Sequence, residues 1–303
     1  MTEFTDFQRQ ITAFLPEIEM KCNEPMSRHT SFRIGGAAEV MAFPQNEAQL
    51  TAVLKATEKL GVKPVVLGAG TNVLAPDEGV KGLVICLKDC FSAMEQVGEN
   101  VLRFYAGVTM ARAANFAASL SLGGLEFAHG IPGTVGGGVY MNAGAYGGEI
   151  SQVCSRVCVM DRGGNQRLLT AEEMDFSYRF SRMQLTDDII LWAEVRLSPK
   201  PETEIRALMQ ELIGRRRASQ PLELPSAGSA FKRPATGFAA AMIDKAGLKG
   251  YQIGGAAVSA KHAGFVVNMG GATARDVRAL LQTVAQRVEE DAGVRLEPEI
   301  RIW

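Results

Sequence analysis

Histidine, cysteine and long apolar runs are all scarce in this chain, and each shortage closes off a kind of chemistry. Only three histidines are present, His29, His129 and His262, so a histidine-rich metal centre has few donors to draw on. The five cysteines, Cys22, Cys86, Cys90, Cys154 and Cys158, are odd in number, which argues against a complete set of internal disulfides. Two C-x3-C pairs lie in strand-like runs, VICLKDC and VCSRVCVM, and neither has the C-x2-C spacing common in zinc sites. These thiols read as small buried hydrophobes, and no structural metal is expected. No apolar stretch approaches the roughly 20 residues a membrane helix needs. The first twenty residues lack the basic start and apolar centre of a secretory signal. A net charge of −1 supplies no electrostatic footprint for nucleic acid. The expectation is a cytoplasmic protein with no nucleic-acid partner and no membrane insertion.

What is present describes an ordinary globular chain. At 303 residues it exceeds the size at which single cores stop growing, so about two domains are expected. Apolar positions recur with helical spacing in three segments. NEAQLTAVLKATEKLG aligns Leu50, Val53, Leu54 and Leu60, with Asn46 as N-cap and Gly61 as stop. PETEIRALMQELIGRRR aligns Ile205, Leu208, Met209, Leu212 and Ile213. TARDVRALLQTVAQRVEEDAG aligns Val277, Leu280, Leu281, Val284 and Val288, opening at Thr273 and closing near Gly293. Between them lie the β-rich runs KPVVL, GLVICL, NVLRFYAG, VCVMD and IILWAEVRL. Helices and strands mix without a βαβ rhythm, so the fold class expected is α+β. The weakest seam is LSPKPETE, which places the main domain boundary between residues 198 and 199.

Two stretches are unusually bare. Residues 130–149, GIPGTVGGGVYMNAGAYGGE, contain eight glycines and no Lys, Arg or Asp. Residues 65–80, VVLGAGTNVLAPDEGV, run from a strand straight into a glycine-rich turn. Backbone without side chains allows close approach, and clustered N–H groups in tight turns bind phosphates. Neither stretch spells a P-loop or a clean dinucleotide fingerprint. The competing reading is that both are tight turns around a crowded core.

Further motifs carry a resemblance. HTSFRIGG (29–36), LGAGTNVL, GLEFAHGIPGTVGGGVYMNAGAYG, FSYRFS, PSAGSAFKRP, AGLKG and the terminal LEPEIRIW occur in an order that closely resembles UDP-N-acetylenolpyruvoylglucosamine reductases. The similarity runs from about residue 23 to the end, in the shorter branch of that family, without the extra substrate-capping insertion. It implies an FAD-binding domain of the PCMH, or vanillyl-alcohol-oxidase-like, type in residues 23–198, with two lobes split near residue 88. Residues 199–303 would then form a C-terminal α+β substrate-binding domain, preceded at the other end by a helical segment over 1–22.

By the same resemblance, Gly68, Ala69, Gly70, Thr71, Asn72, Val73 and Leu74 line one side of the FAD phosphates. Gly133, Thr134, Gly136, Gly137, Asn142, Gly144 and Ala145 approach from the other. Some relatives of this fold tether their flavin through His or Cys. The first loop has neither, so non-covalent FAD is expected.

The family reaction uses NADPH as electron source and reduces UDP-N-acetylglucosamine enolpyruvate to UDP-N-acetylmuramate in peptidoglycan precursor synthesis, which serves cell-wall biogenesis, cell shape and cell division. Arg179 matches the arginine that holds the substrate carboxylate, a task suited to an always-charged fork. Ser229 matches the serine that gives a proton to the enolate-like group. Glu299 matches the terminal catalytic glutamate, with Glu297 as the competing candidate; beside a developing negative charge it would act protonated, through a pKa raised by burial. Lys232, His262 and Asn268 are further substrate-contact candidates. The family often carries Asn where this chain has Arg233. The run Arg215, Arg216 and Arg217 reads most simply as a solvated helix end. A rival reading is an FAD oxidase of alcohols or lactones on the same fold.

Overall fold

The three periodic segments form the helices that their apolar spacing predicts. In the computed structural model, which describes residues 5–303, they become Glu47–Lys59, Glu202–Ser219 and Ala274–Ala292. Their ends follow local chemistry. The Asn46 side chain accepts from Gln49 N–H at 2.9 Å. Thr273 and Asp276 form a reciprocal capping box, and Gly293 ends that helix in the left-handed region at φ 65°.

The chain divides into two compact units, and neither is continuous in sequence. The first comprises residues 5–23, 39–69 and 81–214, and the second 24–38, 70–80 and 215–303. This division differs from the one expected at residues 198/199, because it falls inside the helix Glu202–Ser219 and hands two early segments to the later unit. The physical reason is local burial. Phe32, Ile34 and Leu74 are at most 2% exposed, and all three pack in one cluster with Val277, Leu280 and Val284 of the helix Ala274–Ala292. Asp77 ties the same segment down: its carboxylate accepts from Ala274 N–H at 2.7 Å and Arg275 N–H at 3.0 Å, where a helix N-terminus favours negative charge. The N-terminal helix Asp6–Phe14 is likewise no separate segment, since Ile11 is fully buried in the first unit's core.

The first unit is built on a five-stranded antiparallel sheet ordered Gln166–Thr170, Cys154–Met160, Ile189–Arg196, Val101–Tyr105 and Met94–Gly98. Its middle strand buries seven of eight residues, including Glu194. That carboxylate is held by Arg103 and Arg156, each at 2.8 Å, so the buried charge is paired. A second sheet places Val65–Leu67 parallel to Val80–Cys86 at its edge. The Gly68 turn therefore opens at the carboxyl end of a parallel strand. Cys86, Cys154 and Cys158 are buried, and burial pushes their thiols up to about 11, 12 and 11.

The second unit carries a four-stranded antiparallel sheet ordered Ser226–Ser229, Phe265–Asn268, Ala256–Val258 and Gln252–Ile253. The C-terminal strand Arg301–Ile302 pairs in parallel with Val73–Leu74. No helix among the described residues is long and apolar enough to cross a membrane.

Candidate active site

The two bare stretches differ in how their backbone N–H groups are used. In the stretch 130–149, three consecutive glycines sit inside a short helix, Val135–Tyr140, although each Gly costs about 1 kcal/mol of helix propensity relative to Ala. Packing overrides propensity here. A Cβ on Gly136 would stand 2.8 Å from Ala106 Cβ, and one on Gly138 would stand 2.9 Å from Met110 Sδ. Further along, a Cβ on Gly148 would meet the Phe127 ring at 2.5 Å. The first N–H groups of this helix are also consumed internally. Val135 donates to Val108 O, Gly136 to Ala106 O, and Gly137 to Thr134 Oγ1. Much of this bareness is therefore close packing of protein on protein.

The turn after Val65–Leu67 behaves otherwise. Among the described residues, the N–H groups of Gly68, Ala69, Gly70 and Asn72 find no acceptor. Gly70 adopts φ 61°, and a Cβ there would stand 2.1 Å from His29 O, so only glycine fits. Free backbone N–H donors in a tight turn are of the kind that bind phosphate. Gly68 and Ala69 belong to the first unit and Gly70 to Leu74 to the second. Gly68 packs on Thr134, so the two bare stretches touch within the first unit. Leu74 is fully buried, and its carbonyl accepts from Trp303 N–H, so its side chain belongs to the core and not to a cofactor contact.

Asn142 also departs from expectation. It is fully buried at φ 43°, and its side chain is spent on protein. Its Nδ2 donates to Glu149 Oε1 at 3.2 Å and Ser177 O at 3.0 Å, while Oδ1 accepts from Ser151 N–H at 2.9 Å. It holds other parts of the first unit together with three of its four side-chain hydrogen-bonding positions. Gly144 and Ala145 form one arm of a tight hairpin with Gly148 and Glu149.

Arg179 sits in a two-residue turn closed by reciprocal bonds between Ser177 and Phe180, both 3.1 Å. Its φ of 57° is left-handed, a conformation costing a non-glycine residue about 1–2 kcal/mol. The surroundings hold it there: Asn142 donates to Ser177 O, and Gln184 Nε2 donates to Arg179 O at 2.9 Å. The half-buried guanidinium reaches Gly144 O at 3.4 Å and stacks 5.0 Å from the Tyr178 ring. Strain supported from two sides is a common mark of functional turns.

In the second unit, Ser229 and Glu299 are brought together by main-chain bonds. Ser229 is exposed at the end of its strand, opposite Phe265, after a bulge at Gly228 with φ 79°. One residue on, Ala230 O accepts from Glu299 N–H at 2.9 Å. Beyond it, Phe231 bridges Pro298, and Lys232 N–H donates to Glu297 O at 2.8 Å. The PSAGSAFK and LEPEI motifs therefore run antiparallel. Glu299 is half-buried, whereas its competitor Glu297 is exposed and paired through Oε1 with Lys232 Nζ at 2.6 Å.

The remaining candidates divide. Asn268 is buried and committed to protein, donating to Phe32 O and accepting from Gly270 and Ala272 N–H. Three of its four side-chain hydrogen-bonding positions are thus used within the second unit. His262 is half-buried, with Nδ1 accepting from Gly264 N–H at 3.1 Å and its ring edge-on to Phe265. Burial lowers its pKa, and Lys249 adds to the effect. Since Gly264 O accepts from Ala230 N–H, the His262 turn supports the strand carrying Ser229. Arg233 lies 4.1 Å over the Phe238 ring.

Ser31 and Gln184 were not among the residues singled out from sequence. Ser31 Oγ donates to Ser226 O at 2.6 Å, and its N–H donates to Gly70 O. Ser31 lies inside the HTSFRIGG motif, but its partners Gly70 and Ser226 are distant in the chain, and Gln184 bonds to backbone carbonyls, so neither role is visible locally. Within the second unit, the segments carrying the Ser229 hydroxyl and the Glu299 carboxyl are joined at Ala230; in the first unit, Arg179 offers a cationic fork. A guanidinium fork can hold a carboxylate, and a hydroxyl and a carboxyl can each take part in proton transfer.

Comparison with known proteins agrees with this chemistry. Residues 220–303 match the C-terminal domain of UDP-N-acetylenolpyruvoylglucosamine reductases, and residues 38–169 match an FAD-binding domain. The reductase of that name from Agathobacter rectalis is 43% identical, the alignment covering 98% of each chain. That from Limosilactobacillus fermentum is 44% identical over 96% of each. The crystal structure of the Thermus caldophilus reductase superposes with a TM-score of 0.80 at 34% identity, over 95% of this chain and 99% of the other.

Proposed function

The chain belongs to the UDP-N-acetylenolpyruvoylglucosamine reductase family, and from that premise we propose that it reduces UDP-N-acetylglucosamine enolpyruvate to UDP-N-acetylmuramate with NADPH, using non-covalently bound FAD, as a cytoplasmic step of peptidoglycan precursor synthesis. The observation that carries the reading is the antiparallel pairing of the Ser229 and Glu299 segments through Ala230.

FAD, when bound, supplies the two-electron relay between NADPH and the substrate alkene. Gly68, Ala69, Gly70 and Asn72 would hold its diphosphate through main-chain N–H groups. Arg179 binds the substrate carboxylate in a fork, and its positive charge offsets the charge that develops on the adjacent carbon. Ser229 Oγ gives up its proton to that carbon. A serine hydroxyl is a weak acid, so its contribution depends on being held close, which the Ala230–Glu299 and Ser31–Ser226 bonds support. The Glu299 carboxyl polarises the substrate on the Ser229 side. Lys232 contacts the diphosphate of the UDP-sugar by exchanging Glu297 for phosphate, a swap that an exposed ion pair permits at little cost.

The test is an anaerobic titration followed by flavin absorbance. NADPH is expected to bleach the flavin, and UDP-N-acetylglucosamine enolpyruvate to restore it without oxygen. Restoration by oxygen alone would overturn the substrate assignment.

A further inference from the structure

Asn72 lies in the turn expected to bind the cofactor, yet its side chain is turned to the end of the chain. Its Nδ2 donates to Glu299 O at 3.1 Å, and its own carbonyl accepts from Arg301 N–H at 2.9 Å. Asn72 thus grips the backbone on both sides of Ile300, which is 4% exposed. From the opposite direction, Glu299 N–H is held by Ala230 O. Both polar groups on the main chain of Glu299 are therefore fixed, one to the Ser229 segment and one to Asn72. With its backbone fixed, the direction of the Glu299 Cα–Cβ bond is fixed as well.

The other parts of the turn point the same way. Gly70 O accepts from Ser31 N–H, and Ser31 Oγ donates to Ser226 O in the strand that ends at Ser229. One short turn supplies free N–H donors, holds the Glu299 carbonyl through Asn72, and is linked through Ser31 to Ser226 at the start of the strand that ends at Ser229.

We propose that Asn72 is a positioning residue for Glu299: its carboxamide sets the orientation of the glutamate and couples it to the cofactor-binding turn. The inference rests on the reductase reading above. Removing Nδ2 leaves the Glu299 carbonyl without its donor, while the main-chain N–H groups of the turn are untouched. Cofactor affinity should therefore survive, and only the step that uses Glu299 should fail.

Asn72→Ala and the nearly isosteric Asn72→Leu test this in four measurements. Amide exchange in apoprotein peptides covering 296–303 should accelerate, with the rest of the chain unchanged. FAD affinity, read by fluorescence quenching on the apoprotein, should change by less than about threefold. Bleaching by NADPH should stay within about twofold. Recovery of flavin absorbance with saturating enolpyruvyl substrate should slow by about tenfold or more, with a displaced pH profile, as expected for a misplaced reacting group. Should both variants be insoluble, Asn72→Ser, whose hydroxyl is too short to reach Glu299 O, takes their place with the same expectations.

An unchanged recovery rate and pH profile would overturn the proposal. So would a large loss of FAD affinity with normal recovery at saturating FAD, which would make Asn72 a cofactor contact. Equal slowing of bleaching and recovery would also overturn it, as general damage. If wild-type flavin itself fails to recover with the enolpyruvyl substrate, the reductase reading falls, whereas the exchange at 296–303 still decides whether Asn72 holds Glu299.

Discussion

Gly68 lies so close to Thr134 that a Cβ on it would stand 2.6 Å from Thr134 Oγ1. This oxygen is already fixed, because it accepts from Gly137 N–H at the start of the helix Val135–Tyr140. Gly68→Ala must therefore push the 68–72 turn away or break the cap. The expected outcome is a loss of about 1 kcal/mol of stability and clearly weaker FAD binding, measured by urea unfolding and by flavin fluorescence. Thr134→Val should reproduce the stability loss while sparing the turn.

Two glycines in helices separate packing from propensity. Gly136→Ala adds a Cβ against Ala106 Cβ at 2.8 Å and Ala106 O at 3.1 Å. It should destabilise by about 1–3 kcal/mol in spite of the better helix former. Gly214, in the helix Glu202–Ser219, has no atom within 4 Å of an added Cβ. Gly214→Ala should instead stabilise by up to about 1 kcal/mol. Opposite signs in urea midpoints check both; a stabilised Gly136→Ala would refute the packing account.

Ser229→Ala should leave bleaching by NADPH nearly intact and slow recovery by enolpyruvyl substrate about 100-fold or more, the usual cost of losing a proton donor. Glu299→Gln should spare FAD binding and impair the same recovery. Equal slowing of bleaching and recovery in Ser229→Ala would make Ser229 structural.

Burial holds the His262 imidazole below its ordinary value of 6.5, with Lys249 adding to the effect, and burial does the same at His129 with help from Arg206. The unfolded chain therefore takes up these protons more readily than the folded one. Stability should be complete above about pH 6.5 and decline as the pH falls below it, by at most about 1.4 kcal/mol per pH unit for each histidine. His262→Gln should flatten the dependence between pH 7 and 5, a window above the ordinary carboxylate range. Urea midpoints across that window measure the slope, and an equally steep variant would exclude His262 as a source.

Periodicity and caps, both set within a few residues, made the helices Glu47–Lys59, Glu202–Ser219 and Ala274–Ala292 legible in the sequence, and β-rich runs marked the main strands. Arg179, Ser229 and Glu299 were legible only through the motifs that resemble the reductase family, since residue type and spacing alone do not mark them out. What local reading missed depends on partners far along the chain. Glycine by itself cannot tell a phosphate cradle from tight packing; Ala106 and Met110 show packing at Gly136 and Gly138, whereas the N–H groups of Gly68, Ala69, Gly70 and Asn72 find no acceptor among the described residues. Asn142 and Asn268 carry side chains fit for a ligand, but tertiary structure gives most of their hydrogen-bonding capacity to other protein groups. The helix Ala274–Ala292 needs Phe32, Ile34 and Leu74 to complete its apolar face, so segments 24–38 and 70–80 join the second unit. Sequence determined what each segment can form, and long-range burial and hydrogen bonding decided which side chains remain available.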